Sequence, residues 1–228
     1  MPDQVFGSCI IAHIIIIFHQ TMELMSNDNR GLKNLLPHDG EAFYIQDFLD
    51  KTVSENLFKT LCKDILWEQD EFLMYGKKIL TRRKVAWYGS KPYEYTYSKI
   101  TRKAHIWHKD LKYLSDILQE ETGNSFNSCL LNLYPEGRDG MGWHSDDEKE
   151  LRPLAAIASL SLGSDRKFSF KHRLTKETVS LTLQNGSLLL MKGSTQKHWL
   201  HQLPKTKKII GPRINLTFRS IIDSNAPL

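Results

Sequence analysis

The chain has little cysteine, with only Cys9, Cys62 and Cys129 among its 228 residues. These three residues are odd in number and far apart in sequence. That pattern excludes both a disulfide framework and the close cysteine spacing of zinc-knuckle modules. We therefore expect the protein to work in a reducing compartment inside the cell.

Long apolar runs are also scarce. The most apolar stretch, "CIIAHIIIIF" from Cys9 to Phe18, is interrupted by His13 and is shorter than the ~20 residues that span a bilayer. We therefore predict no stable membrane insertion. Because Met22 and Met25 follow closely, residues 1–40 are interpreted as an N-terminal extension that is disordered or reflects a misplaced start. The folded domain is predicted over 41–222, with a short tail at 223–228.

The composition lacks the marks of a disordered or fibrous chain, and the sequence contains no internal repeat or low-complexity segment. Hydrophobic residues make up 40% and charged residues 25%, which favours a packed globule. The formal net charge of +5 is a mild basic bias. This bias permits binding to nucleic acid without proving it.

Residue periodicity predicts two helices ahead of a β-rich region. Residues 42–45 form a short strand, and the first helix carries an apolar stripe through Ile65, with Thr52 or Ser54 as its N-cap. A hairpin is expected around Gly76, and a second helix over 109–122 ends at Gly123. Alternating segments then recur, separated by turns: 126–134, 157–163, 167–172, 179–191 and 213–221. The chain is thus mostly β with flanking helices (α+β), built as a sandwich, jelly roll or barrel.

The stretch "GMGWHSDDE" places His144 and Asp146 two residues apart. On an extended segment such residues point to the same face, so they can bind one metal ion together. Downstream, "STQKHWLHQLPK" offers His198 and His201 as a third ligand. Two histidines and one carboxylate are the ligand set of non-haem Fe(II) oxygenases. A solvated His and Asp in a polar turn is the alternative.

The segment "RINLTFRS" carries a second pattern. Its apolar residues share one strand face, while the other face holds Arg213, Asn215, Thr217 and Arg219. Arginine pairs with carboxylates through its planar fork, so two arginines bending inward can hold the two ends of a small dicarboxylate. In "LNLYP", Asn132 and Tyr134 likewise share one face. The alternative is a solvated strand face.

With these motifs in place, residues 132–219 resemble the AlkB-like Fe(II)- and 2-oxoglutarate-dependent dioxygenases. The matching segments are "NLYPEG", "HSDDE", "HQLP" and "PRINLTFR", and the likeness reaches back to about Phe43. In detail the chain is most similar to the branch that repairs alkylated double-stranded DNA. The resemblance implies a double-stranded β-helix (jelly-roll) core.

The resemblance also implies the site residues and the reaction. Iron would be bound by His144, Asp146 and His201, with His198 as the second choice. The residues implied for 2-oxoglutarate are Arg213 and Arg219, assisted by Asn132, Tyr134 and Asn215. With Fe(II), O2 and 2-oxoglutarate, the implied reaction removes N-alkyl groups from 1-methyladenine and 3-methylcytosine, releasing formaldehyde, succinate and CO2.

Several segments suggest contacts to nucleic acid. "MYGKKILTRRK", "RKFSFKHR" and "KTKK" are basic clusters suited to phosphates, although a solubilising surface explains them too. An alkylated base must leave the duplex to react. We predict that Tyr97 and His144 stack on it, while Tyr95 and Glu148 make polar contacts. Tyr75 lies where relatives carry an intercalating residue; half-buried packing is the alternative for the tyrosines.

The sequence alone leaves other functions open. The same machinery can act on RNA, a protein or a small molecule, and a non-catalytic jelly-roll module or a zinc site can use similar ligands. We expect a monomer whose partner is alkylated, double-stranded DNA. We expect a cytoplasmic or nucleoid location in a bacterium and a nuclear one in a eukaryote.

Overall fold

The computed structural model describes residues 32–74, 77–97, 100–208 and 210–222, without the side chains of 70–79 and 95–102. Three helices occur within these ranges: α1 (Lys51–Asp64), α2 (Lys109–Thr122) and the short α3 (Thr195–His198). None of the helices described there is long and apolar enough to cross a membrane.

Fourteen strands are described in the same ranges. They are β1 (Glu41–Ile45), β2 (Glu68–Met74), β3 (Lys77–Gly89), β4 (Glu94–Tyr97), β5 (Ile100–Lys103), β6 (His105–Ile106), β7 (Ser128–Tyr134), β8 (Met141–His144), β9 (Ile157–Gly163), β10 (Arg166–His172), β11 (Thr178–Leu183), β12 (Leu188–Lys192), β13 (Trp199–Leu203) and β14 (Arg213–Arg219). The expected predominance of strands is confirmed.

The strands form two main sheets. The larger has the order β1-β12-β9-β14-β7-β3-β2, with β6 pairing β3, and the smaller has the order β11-β10-β13-β8. Strands β4 and β5 form a separate hairpin. Apart from the parallel β3–β6 pair, the paired strands in the described ranges are antiparallel.

Helices α1 and α2 cover the outer face of the larger sheet. The apolar stripe of α2, which includes the fully buried Leu111 and Leu118, packs with Leu160 and Leu216 in one core cluster. Burying an apolar side chain of this size contributes roughly 1.5–3 kcal/mol. This packing fixes the sheet whose opposite face carries the polar residues of β14.

A second core cluster lies between the two sheets. It joins Leu189 and Met191 of β12 to Phe170 of β10 and Trp199 of β13. Strand β12 is thus buried on both faces, since Leu188 and Leu190 belong to the outer cluster. This double burial explains why β12 is a continuous apolar run rather than an alternating one.

The structure corrects one local prediction and confirms others. The N-cap of α1 is Asp50, whose Oδ1 accepts from the Val53 amide at 2.8 Å; the prediction of Thr52 or Ser54 is wrong because both lie inside the helix. The β2–β3 hairpin is confirmed, as is the end of α2 at the left-handed Gly123. Ahead of the predicted domain start, Leu36 is buried in the core between the sheets.

Candidate active site

One large pocket opens between the two sheets. Its volume is about 930 Å³, and its wall is shared by strands β7, β8, β13 and β14 together with residues of β3. The expected iron and 2-oxoglutarate residues all line it: Asn132, Tyr134, His144, Asp146, His201, Arg213, Asn215 and Arg219. Glu148, expected to contact the substrate base, lines it too.

His144, Asp146 and His201 converge in this pocket. Their ligand atoms all lie within 4.8 Å of one another. Asp146 Oδ1 is 3.8 Å from Nε2 of each histidine, and the two rings lie 4.2 Å apart between centroids. His144 and His201 are direct partners in the β8–β13 ladder, so the sheet itself brings the imidazoles together. His198 is not in this group.

The hydrogen bonding of His144 suits a metal ligand. Its Nδ1 lies 2.8 Å from the carbonyl oxygen of Gly142. Because a carbonyl only accepts, Nδ1 carries a proton, and in the neutral imidazole Nε2 therefore keeps its lone pair. Metal-bound histidines commonly use this arrangement, in which the outer nitrogen donates to a backbone carbonyl.

The ionisation of the other two residues agrees with the same role. Burial lowers the pKa of His201 to about 4, so its imidazole is neutral at pH 7. Burial disfavours the charged form of Asp146, but attraction from Arg219, His201 and His144 outweighs it and lowers the pKa of this carboxyl. A neutral imidazole and an ionised carboxylate are the forms that bind a divalent metal.

A second cluster, formed by His38, Asp39 and His172, has similar spacing but a different character. Both ring nitrogens of His38 face carboxylates, at 2.9 Å from Asp39 Oδ2 and 3.1 Å from Glu177 Oε2. Nδ1 of His172 accepts from the Thr175 amide at 3.1 Å, so Nε2 carries its proton. Three of the four ring nitrogens in this cluster are thus engaged in hydrogen bonds, and the group in the pocket is the better metal centre.

Arg213 lies inside the same pocket. Its side chain is 1% exposed, and Nη2 donates to Ser161 Oγ at 2.9 Å and to Asn215 Oδ1 at 2.7 Å. The guanidinium also lies 5.7 Å from the ring of Tyr134. Burial lowers the pKa of Arg213 to about 10, which leaves it charged at pH 7. Among the described residues it has no carboxylate partner, and its Nε is unbonded.

Arg219 lies at the other end of β14, beside the cluster of His144, Asp146 and His201. Its Nη1 is 3.4 Å from Glu148 Oε1 and 3.9 Å from Asp146 Oδ2. Among the described residues its Nε also lacks a hydrogen-bond partner. Two buried guanidiniums on one strand face with spare donors fit an elongated dianion, which is the arrangement expected for 2-oxoglutarate.

The predicted tyrosine contacts are only partly described. Tyr75 lies outside the described residues. The backbone places Tyr95 and Tyr97 two apart on β4, opposite Arg102 and Ile100 of β5, but their side chains lie outside the description. The pocket is also lined by Thr81, Arg83, Trp87 and Glu94, which include aromatic and basic groups.

Residues 41–219 match the family model of the 2OG-Fe(II) oxygenase superfamily. The chain belongs to this superfamily. The resemblance found in the sequence is thereby confirmed, and the residues above fit the Fe(II) and 2-oxoglutarate after which the superfamily is named.

Curated relatives narrow the comparison to AlkB homologues. The chain is 40% identical over 184 residues to alpha-ketoglutarate-dependent dioxygenase alkB homolog 3 of Bos taurus, covering 76% of this chain and 64% of that protein. It is 43% identical over 157 residues to DNA oxidative demethylase ALKBH2 of Mus musculus, covering 65% and 66%. The human ALKBH2 is 37% identical over 183 residues, covering 75% and 70%. The chain thus spans about two thirds of the length of these relatives.

The solved structure of OsALKBH1 has the same fold as this chain. The two superpose with a TM-score of 0.57 at 18% identity, over 78% of this chain and 97% of the other. This likeness confirms the jelly-roll core.

Sequence reasoning missed several residues of this oxygenase site. Ser159 of β9 lines it, and Ser161 two residues on accepts from Arg213; both alternate with Leu160 and Leu162. Their regular spacing in "IASLSLG" was a usable signal. Gln196 and Arg173, which contact the Asp146 segment, carry no signal in the sequence because their partners are distant in the chain.

Proposed function

We propose that this oxygenase removes N-alkyl groups from nucleobases in DNA by Fe(II)- and 2-oxoglutarate-dependent oxidation. The proposed substrates are 1-methyladenine and 3-methylcytosine, and the products are the repaired base, formaldehyde, succinate and CO2. The names of the ALKBH2 relatives, which describe DNA oxidative demethylases, support this choice.

The single observation that carries the co-substrate assignment is the burial of Arg213. A guanidinium that is 1% exposed, with neutral partners, bears a desolvation penalty of several kcal/mol that a bound carboxylate relieves. Tyr134 lies against it. We propose that Arg213 binds one carboxylate of 2-oxoglutarate and that Arg219 attracts the other, while Asn132, Tyr134 and Asn215 complete the pocket.

His144, Asp146 and His201 would hold the metal, which supplies the oxidising chemistry when Fe(II), O2 and co-substrate are bound. Two nitrogens and one carboxylate oxygen would be the protein's ligands to this metal and would leave positions for the co-substrate and O2. Asp146 supplies the negative charge, and the neutral His201 supplies a lone pair without competing for a proton. The chain therefore presents its three ligands in binding-ready form.

The substrate base must leave the stack to reach this pocket. We propose that Tyr97 and His144 stack on the extruded base and that Tyr95 and Glu148 contact its edge. Tyr75 would fill the gap left in duplex DNA. Arg82, Arg83 and Lys84 on β3 would contact phosphates, and we propose that the partner is alkylated double-stranded DNA bound by a monomer. Such an enzyme would work in the compartment that holds the genome.

Mass spectrometry of methylated oligonucleotides tests the proposal. Incubation with Fe(II), ascorbate and 2-oxoglutarate should lower the mass of a 1-methyladenine duplex by one methylene, with stoichiometric succinate. Asp146→Ala should abolish this turnover, because one of the three ligands is lost. Full activity in that variant would refute the ligand assignment.

The second candidate is an oxygenase of the same machinery that acts on RNA, a protein or a small molecule. The basic residues Arg82 and Arg83 and the aromatic Trp87, which line the pocket, favour nucleic acid over the last two. Equal turnover of methylated RNA and DNA, or succinate release without any oxidised oligonucleotide, would favour this alternative instead.

A further inference from the structure

We propose that Gln196 is a positioning residue for Asp146, fixing the backbone of this carboxylate ligand and so setting the metal affinity of the site. The inference rests on the proposed metal-binding role of His144, Asp146 and His201. It assigns a role to a residue that lies outside the pocket wall formed by β14 and outside the ligand motif.

The contact is a hydrogen bond from backbone to side chain. The Asp146 amide donates to Gln196 Oε1 at 3.0 Å. Because a backbone N–H only donates, the oxygen of the Gln196 amide group must face it. The amide nitrogen of Gln196 then points to Met191 Sδ at 3.4 Å, which holds the side-chain plane in this orientation.

Asp146 needs such support more than the two histidines do. His144 and His201 are placed by the β8–β13 ladder, in which they are direct partners. Strand β8 ends at His144, and residues 145–148 follow it without regular secondary structure. The position of the carboxylate therefore depends on contacts from side chains elsewhere in the fold.

The backbone that carries Gln196 is held in place by the hydrogen bonds of its neighbour Thr195. Gln196 lies in α3, directly after Thr195, which is 1% exposed. Thr195 Oγ1 accepts from the Glu41 amide at 2.8 Å and lies 2.6 Å from the carbonyl oxygen of Lys192. Helix α3 then leads straight into β13, which carries His201. One short segment thus places one imidazole ligand and supports the carboxylate ligand.

A second side chain holds the preceding residue. Arg173 Nη2 donates to Ser145 Oγ at 2.5 Å and lies 3.4 Å from Asp147 Oδ2. Since Arg173 contacts the residues on either side of Asp146, removal of Gln196 should loosen the Asp146 peptide without releasing the whole segment. Loss of a contact that orients a metal ligand typically weakens binding 10- to 100-fold.

The test is a titration of the metal-free protein with Mn(II), following free Mn(II) by electron paramagnetic resonance. Gln196→Met removes the acceptor at similar size, and we expect it to raise the Mn(II) Kd about 10- to 100-fold. Gln196→Glu keeps an oxygen acceptor and should stay within about 3-fold of the original. Lys197→Met is the matched control, since Lys197 is the exposed next residue of α3, and it should leave the Kd unchanged.

The variants distinguish an error in the metal-site assignment from an error in the role of Gln196. If Asp146→Ala binds Mn(II) as tightly as the original protein, the metal site itself is wrongly assigned. If Asp146→Ala loses binding while Gln196→Met retains it, only the positioning role is refuted. If Gln196→Met also melts at a lower temperature than Lys197→Met, the Glu variant decides: restored affinity supports the acceptor role, and a Kd as weak as that of Gln196→Met overturns it.

Discussion

Arg213 illustrates, at the scale of single residues, how burial and charge define a binding site. Its guanidinium is enclosed by the hydroxyl of Ser161, the amide of Asn215 and the ring of Tyr134. Each of these partners is neutral. The sequence indicated which face of β14 carries Arg213, but the absence of a carboxylate beside it, among the described residues, required the tertiary structure.

Arg213→Met should raise the KM for 2-oxoglutarate at least about 30-fold. Truncating one member of a buried charge pair costs roughly 2–5 kcal/mol, and 1.4 kcal/mol corresponds to a factor of ten. Steady-state succinate formation at saturating Fe(II) measures this change. Arg213→Lys keeps the charge without the planar fork and should give an intermediate KM. A KM within about 3-fold of the original in the Met variant would contradict the assignment.

The environment of Glu121 leads to a second prediction, which concerns the pH dependence of stability. Burial, followed by repulsion from Glu120, raises its pKa to about 7. The folded chain therefore holds this proton more tightly than the unfolded chain, and stability falls as pH rises from about 4.5 to 7. Glu121→Gln should raise the free energy of unfolding at pH ~8 by about 1 kcal/mol, which corresponds to a rise in melting temperature of roughly 2–4 °C. At pH ~4 the melting temperature should not change.

Thermal unfolding at both pH values checks this expectation. Glu55→Gln on the exposed face of α1 serves as the control and should show no such pH-dependent gain. A Glu121→Gln variant that is equally stabilised at both pH values would show that removal of the charge is not the cause.

At the scale of elements, α1 shows how a helix start is fixed. Asp50 Oδ1 accepts from the Val53 amide, and replacing such a cap by Ala costs about 1 kcal/mol. Asp50→Ala should therefore lower the melting temperature by roughly 2–4 °C. Thr52→Ala, at the position favoured by sequence alone, should not. The opposite ranking of the two variants would restore the sequence-based cap.

The long periodic elements and the short strand β1 could be predicted from the sequence, while β13 could not. The apolar stripe of α2 and the alternation of β14 are strong signals because each element buries one face against the outer core. Strand β13 was not predicted, since its five residues include His201 and Gln202 and follow a single helical turn. Its place beside β8, which brings His144 and His201 together, arises from pairing across distant parts of the chain.

At the scale of the whole molecule, the segment before β1 is tied to the smaller sheet. His38 lies between Asp39 and Glu177, and Trp199 Nε1 donates to the His38 carbonyl at 2.9 Å. The hydrogen bond with Asp39 is the main cause that raises the pKa of His38, with Glu177 adding to it. The same bond lowers the pKa of Asp39.

This contact should stabilise the protein within a limited pH range. The contribution of His38 is present below about pH 6.5 and is lost as pH rises through its raised pKa, while that of Asp39 is lost as pH falls through its lowered value. The free energy of unfolding of the original protein should therefore be larger than that of the His38→Gln variant at pH ~5.5. The two values should become similar at pH ~8.5. Urea unfolding of both proteins measures this, and Glu177→Gln should show a weaker form of the same trend. A pH-independent difference would contradict it.

Two adjacent side chains of α3 contact different parts of the chain: Thr195 Oγ1 accepts from the amide of Glu41 at the start of β1, and Gln196 Oε1 accepts from the amide of Asp146. Mechanical load on the first strand, from a fused partner domain or a surface tether, would thus be transmitted to Asp146, the proposed metal ligand, through the turn of α3 and its two hydrogen bonds. Attachment through the C-terminal side would spare that route, and immobilised enzyme should keep its metal better in that orientation.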